Sequence, residues 1–236
     1  TPSNPNRVEL LVANAQFGLQ GLWRSSDAGT NFNQYYDGDC SINLLSNIYD
    51  GSSCGGQGYY DLAFTINPSN ANEIWVGGIN TWASIDNGLT FTPKTMWTGN
   101  SNLNPLSFPV VHADKHDFKF HPLQPNTLFD CNDGGLYKST DGGATWTDLS
   151  DGLGISQIYR IGVSQNTANS VICGLQDNGT KEIIGNTWYE VRGGDGMESI
   201  IDYTDFNTQY TSYSFGKLYA TTDLWNNTTT ISDNIP

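Results

Sequence analysis

Residues 139–146 read STDGGATW, and how such an octet folds decides the architecture of the chain. An Asp at its third position can bond backbone amides within a tight turn, and the following Gly supplies a positive φ. The closing aromatic is placed to pack into a core. Two further octets share the pattern, SSDAGTNF at 25–32 and SIDNGLTF at 84–91. The turn-forming positions are Ser25, Asp27 and Gly29, then Ser84, Asp86 and Gly88, then Ser139, Asp141 and Gly143, with Trp146 closing the third. TTDLW at 221–225 reads as a degenerate copy, and no octet is visible between 156 and 192.

Outward from the octets a second repeat emerges: a turn, an Asn, then a short apolar run. It reads PSNPNRVELLVA from Pro2, PSNANEIWVGG from Pro68 and PLQPNTLFDCN from Pro122, with weaker copies from Gln165 and Tyr203. The Asn falls at Asn6, Asn72, Asn126, Asn169 and Asn207. The last four copies are each preceded by another apolar run (LAFTI, FKF, YRIGV, SIID). The Asn turn therefore joins two strands and the octet joins the next two. Four short strands in roughly 40 residues are the unit of a β-propeller blade. The expected fold is all-β, a propeller of four-stranded antiparallel blades with about five blades present. The expected divisions are an incomplete first blade at 1–37, blades at roughly 59–98, 114–150, 156–192 and 197–236, and a loop insertion at 38–58 read as surface decoration. Thr1 falls where a first-to-second-strand turn belongs, so the reading makes the chain part of a larger propeller whose remainder lies in a parent chain or a partner.

The 236 residues carry 24 acidic and 10 basic side chains, a net charge of −14. A nucleic-acid binder needs a basic footprint, and this composition excludes one. It also disfavours anionic lipid. No run approaches the roughly 18 apolar residues of a membrane span, so direct membrane insertion is not expected. The first residues lack the basic and apolar regions of a signal peptide, which fits a cytosolic or an already processed chain. Cys40 and Cys54 flank one loop, and a disulfide closing it would imply export. Cys131 and Cys173 end apolar runs and read as buried thiols.

The octets resemble the Asp-box, the bacterial neuraminidase repeat, which sialidases, xyloglucanase-type glycosidases, sortilin-like receptors and photosystem assembly factors share as a structural turn. GGQGYYDLAF, VHADKHDFKFHP, NDGGLYKSTDGGATW, GLQDNGT and GGDGMESIIDYTD together look like the propeller of large secreted surface proteins of the Bacteroidetes. Such proteins often carry a C-terminal type IX secretion sorting domain, which these residues do not contain. The resemblance implies an extracellular or cell-surface bacterial location far better than it implies a reaction.

The loops entering first strands and those following second strands would gather at one face, where propeller ligands bind by fold analogy. They supply Asp61, Asp114, Asp117, Asp133, Asp177, Asp195 and Glu198. Tyr59, Tyr60, Trp82, Gln157 and Tyr159 stand among them. Aromatic faces stack on pyranose CH groups and carboxylates accept sugar hydroxyls, so Tyr60, Trp82, Asp133, Gln157, Tyr159 and Asp177 are candidate ligand contacts. A glycosidase needs two carboxylates flanking a bond, for which Asp114 or Asp117 with Asp195 is the best pair. His112, Asp114 and His116 alternate, so an extended backbone would put all three on one face as ligands for zinc or another transition metal, while Asp195, the isolated acid of GGDG, could equally ligate calcium or cap its turn. The competing reading is that these residues close the channel mouth by bonding neighbouring loops. A sialidase Arg triad is not supported by Arg7, Arg24, Arg160 and Arg192, and no GxSxG, P-loop or dinucleotide fingerprint occurs. Three functions follow: a non-catalytic surface module binding glycan or another protein, a glycoside hydrolase, or a metal-dependent enzyme.

Overall fold

The computed structural model describes residues 3–233. Thr1 and Pro2, where the first turn was expected, and 234–236 lie outside the described residues. The described chain is all-β apart from a single 3-10 turn at Ser214–Gly216. It falls into two compact units, Thr1–Leu153 and Gly154–Pro236.

The first unit holds three antiparallel sheets. One is three-stranded: β1 (Val8–Ala13), β2 (Leu19–Ser25) and β3 (Asn33–Asp37). The next comprises β4 (Ala63–Ile66), β5 (Ile74–Gly77), β6 (Thr81–Ser84) and β7 (Thr92–Thr95). The third comprises β8 (Lys115–His121), β9 (Gln124–Asn132), β10 (Gly135–Ser139) and β11 (Thr147–Asp148). The second unit holds two four-stranded sheets. One is β12 (Ile158–Val163), β13 (Ser170–Leu175), β14 (Gly179–Ile184) and β15 (Thr187–Arg192). The other is β16 (Gly196–Ile201), β17 (Gln209–Tyr213), β18 (Lys217–Thr221) and β19 (Thr229–Thr230). Every sheet is an up-and-down meander in chain order. These are the blades of a β-propeller.

The octets make the last hairpin of their sheets by one repeated set of bonds. Ser139 Oγ donates to Asp141 Oδ1 at 2.8 Å and accepts from the Gly143 amide at 2.8 Å. Asp141 then takes the amide and the hydroxyl of Thr145 at 2.9 and 2.6 Å. Ser84 with Asp86 and Thr90 repeats this, as does Ser25 with Asp27, where Asn31 replaces the Thr and donates through its side-chain amide. TTDLW forms the same turn: Thr221 Oγ1 donates to Asp223, and Asn227 closes it. The recurrent Asn is tied to the same turn. The carbonyls of Asn6, Asn72, Asn126, Asn169 and Asn207 accept from the amides of Ala28, Asn87, Gly142, Gly185 and Leu224. Each of those donors has positive φ. The two sequence repeats are thus the two halves of one hydrogen-bonded device that joins both turns of a blade.

The hydrogen bonds to Thr145 and Ser139 hold the Asp141 carboxyl down at about 2, and bonds of the same kind do so for Asp86 and Asp27. A depressed folded-state pKa contributes stability that is present above the unfolded value of about 4 and lost as pH falls towards 2. Thermal melts between these limits should therefore show a steep acid limb, and Asp141→Asn should flatten it. An unchanged limb would mean these carboxylates do not drive acid unfolding. Ser139 is buried, and Ser139→Ala should cost about 1–3 kcal/mol by urea titration, because it strips a bond from Asp141 and orphans the Gly143 amide.

Two cores fill the first unit. Trp75, Ala63, Ala83, Phe118 and Leu128 form one, with Trp75 edge-on to both Phe118 and Trp146. The other unites Leu19, Val76 and Trp82 with Leu44 and Leu45 of the 38–58 segment. That segment, expected to be surface decoration, supplies two fully buried leucines instead. Its loop is closed by a disulfide between Cys40 and Cys54, while Cys131 and Cys173 are free thiols.

Candidate functional site

In the first unit, residues 57–61 form a tight turn, with the amides of Tyr60 and Asp61 both bonded to the Gln57 carbonyl at 2.7 and 3.0 Å. The turn splits its side chains. Tyr59 is 70% exposed and meets the edge of Phe17 at 4.8 Å, and Tyr60 is also on the surface. Tyr60 Oη donates to Asp133 Oδ2 at 2.7 Å, and its ring stands perpendicular to His116 at 5.0 Å. His116 Nε2 lies 2.5 Å from Asp133 Oδ1. The result is a surface of two tyrosines and an imidazole, in which one carboxylate fixes Tyr60 and His116.

Asp61 is carried the other way, into the interior, at 0% exposure. Neither of its oxygens has a hydrogen-bond partner of standard geometry. It faces Asp114, itself buried, which receives Gln57 Nε2 at 2.9 Å. Asp114 also lies within 4.8 Å of Asp133, oxygen to oxygen. Burial, and next the charge of Asp114, push the Asp61 carboxyl up to about 7. Burial and Asp133 raise Asp114 as well. Deeper still, Lys115 and Asp130 are fully buried with Nζ 3.6 Å from Oδ2. Lys115 also donates to the carbonyls of His112 and Val111. Burial pulls the ammonium down and pushes the carboxyl up, and each charge opposes the shift of the other.

The structure separates several side chains that the sequence grouped. The ligand atoms of His112, Asp114 and His116 do not converge within 4.8 Å. Alternation fails because the backbone there is not extended: Asp114 has φ +61°, β8 starts only at Lys115, and a bulge falls between Lys115 and Asp117. His112 instead covers Gly134, where a Cβ would touch its ring. Asp117 pairs with Lys119 at 3.0 Å on the strand surface. Trp82 is 4% exposed, covered by Leu44 and Leu45, so it belongs to the core and not to a ligand surface. In the second unit, Asp195 Oδ1 accepts the Asp177 amide at 3.0 Å and so caps the Asp177 turn, whose φ is +56°. Burial and these two acids raise the Tyr159 phenol. Gln157 is exposed and its carbonyl accepts the Gln176 amide. A separate pocket of about 540 Å³ in this unit is lined by Ile158, Leu175, Lys181 and Trp188 among others. Gln57, Lys115 and Asp130 were not read as site residues. Asp61 had only its place in a loop entering a first strand to mark it.

No family model matches the chain, and no curated protein does. Solved structures similar to it include a GH74 enzyme from Niastella koreensis, at 17% identity and TM-score 0.44, covering 97% of this chain and 37% of that one. YCF48 from Cyanidioschyzon merolae is similar at 12% identity and TM-score 0.36, over 96% of this chain and 81% of that one. The extracellular domain of a one component system from B. thetaiotaomicron is similar at 13% identity and TM-score 0.32, over 94% and 30%. The chain spans about a third of the length of the GH74 enzymes it matches. The fold rests on the sheets themselves, and no activity is carried over from these proteins.

Proposed function

We propose that the protein is an extracellular β-propeller module that binds glycan through the Tyr59–Tyr60 surface of its first unit. The observation that carries this reading is Tyr60: its hydroxyl is anchored on Asp133 and its edge on His116, so a rigid aromatic is held at the surface beside carboxylates. Rigid aromatics present large contact area at small entropic cost, and adjacent carboxylates orient sugar hydroxyls. The Cys40–Cys54 bond supports an oxidising compartment. The Asp-box pattern and the likeness to Bacteroidetes surface propellers support secretion to a cell surface. Binding is favoured over hydrolysis because, of the acids that could pair across a bond, Asp114 is buried, Asp117 is engaged by Lys119 and Asp195 caps the Asp177 turn.

The test is calorimetric titration with neutral β-glucan, xyloglucan and mannan oligosaccharides, alongside a reducing-end assay. Saturable binding without turnover is expected, and Tyr60→Ala should weaken it about tenfold or more. Affinity that survives Tyr60→Ala would remove this surface from the reading. Released reducing ends would replace the reading with a hydrolase.

A further inference from the structure

The first unit holds an acidic cluster, with Asp61, Asp114 and Asp130 buried and Asp133 half-buried, whose charges are unequally answered. Asp130 is met by Lys115, and Asp133 by His116 and the Tyr60 hydroxyl. Asp61 and Asp114 face each other with one side-chain amide between them, that of Gln57, which donates to Asp114 at 2.9 Å and also lies towards Asp61. Both Asp61 oxygens are sealed from water without a hydrogen-bond partner of standard geometry. A buried, unpartnered carboxylate is costly, and two facing each other are more so. With both carboxyls ionised the pair carries two negative charges, the charge of one divalent cation.

We propose that Asp61 and Asp114 hold a hard divalent cation, Ca²⁺ by chemistry, beneath the Tyr59–Tyr60 turn. The available donors are carboxylate oxygens, which suit Ca²⁺ and do not suit a soft or imidazole-seeking metal. Gln57 extends the set: its amide already sits on Asp114, and a flip of that amide turns Oε1 towards the ion. The site differs from the His112, Asp114 and His116 alternation, because it uses no imidazole and takes Asp61 from a different loop. Its role is structural. Gln57 and Asp61 bracket the turn that displays both tyrosines, while Asp114 precedes β8, so an ion here would pin that turn to the neighbouring blade. The inference does not depend on glycan binding.

The test uses the full chain stripped with EDTA. Melts are recorded at neutral pH with and without Ca²⁺, and bound metal is counted by equilibrium dialysis. At about a hundredfold excess over its Kd, Ca²⁺ should raise Tm by roughly 5 °C or more. Wild type should retain one ion per chain beyond the count for Asp61→Asn/Asp114→Asn. Asp117→Asn, an acid already paired with Lys119 at the surface, should keep the shift and so control for diffuse binding to an acidic protein. The double amide variant removes a like-charge contact, so it should fold without metal. Tb³⁺ luminescence sensitised by Tyr59 and Tyr60 offers a second readout, present in wild type and lost in the double variant. No shift in wild type, or an equal shift in the double variant, overturns the proposal and leaves a shared proton as the balance for the pair.

Discussion

Asp130→Ala is expected to destabilise the first unit by about 3–5 kcal/mol, measured by urea unfolding. Lys115 and Asp130 are both fully buried, and the ammonium and carboxylate sit 3.6 Å apart. The attraction does not make such a pair a large net stabiliser, because desolvation of both ions offsets it. The loss comes from removing one partner alone. Lys115 would then keep its donor bonds to the His112 and Val111 carbonyls but lose its nearest counter-charge in a site sealed from water, with only the weaker pull of Asp114 and Asp61 left. Asn132 Nδ2, which donates to Asp130 at 2.9 Å, would lose its acceptor as well. Replacing both ions, as in Lys115→Met/Asp130→Leu, should recover most of the stability, since neither charge remains buried. A loss below about 1 kcal/mol for Asp130→Ala would show that Lys115 reorients to another partner, and would defeat the argument.

The same pair shows where sequence reading stops. Asp130 lies within LFDC, an apolar run read simply as a strand, and β9 is that strand; nothing in the run announces that its acid meets a lysine on the neighbouring strand β8. Blade organisation was legible because it is local chemistry. An Asp four residues before a Thr or Asn, with a hydroxyl two residues before it, can close the hairpin by itself, and the Asn repeat sits across from it. Even the copy read as degenerate, TTDLW, keeps the hydroxyl of Thr221 and the amide of Asn227, so equivalence of donors mattered more than identity of residues. The candidate site was less legible because it depends on coverage and on local φ. Trp82 looks like a loop aromatic until Leu44 and Leu45 arrive from a remote segment to bury it. His112, Asp114 and His116 look co-facial only while the backbone is assumed extended, and one positive φ at Asp114 undoes that.

Gly174→Ala is expected to be the other severe substitution, destabilising the second unit by about 3 kcal/mol or more. The loops GLQDNGT and GGDG drew attention for their acids, yet their glycines make the closest approaches. A Cβ at Gly174 would stand 2.0 Å from the Met197 carbonyl oxygen and 2.6 Å from the Gly196 carbonyl carbon. Both obstacles are backbone atoms of β16, so no rotamer change relieves them. Nor can β16 simply retreat: Gly196 packs so closely on Gly179 that its own Cβ would lie 2.2 Å from the Gly179 oxygen, and Gly179, at φ +71°, is equally tight against Arg192. Three glycines thus let one sheet lie backbone to backbone on the next, and a methyl group at the first must pry them apart. Two controls separate this crowding from ordinary glycine effects. Gly185→Ala, at φ +64° with open space around it, should cost only the left-handed backbone strain of about 1–2 kcal/mol. Gly154→Ala, in open space without that φ, should be neutral or slightly stabilising through the unfolded chain. Urea titrations that place Gly174→Ala alongside Gly154→Ala would mean the two sheets are not in backbone contact there, and the account of these loops as packing devices would fall with that contact.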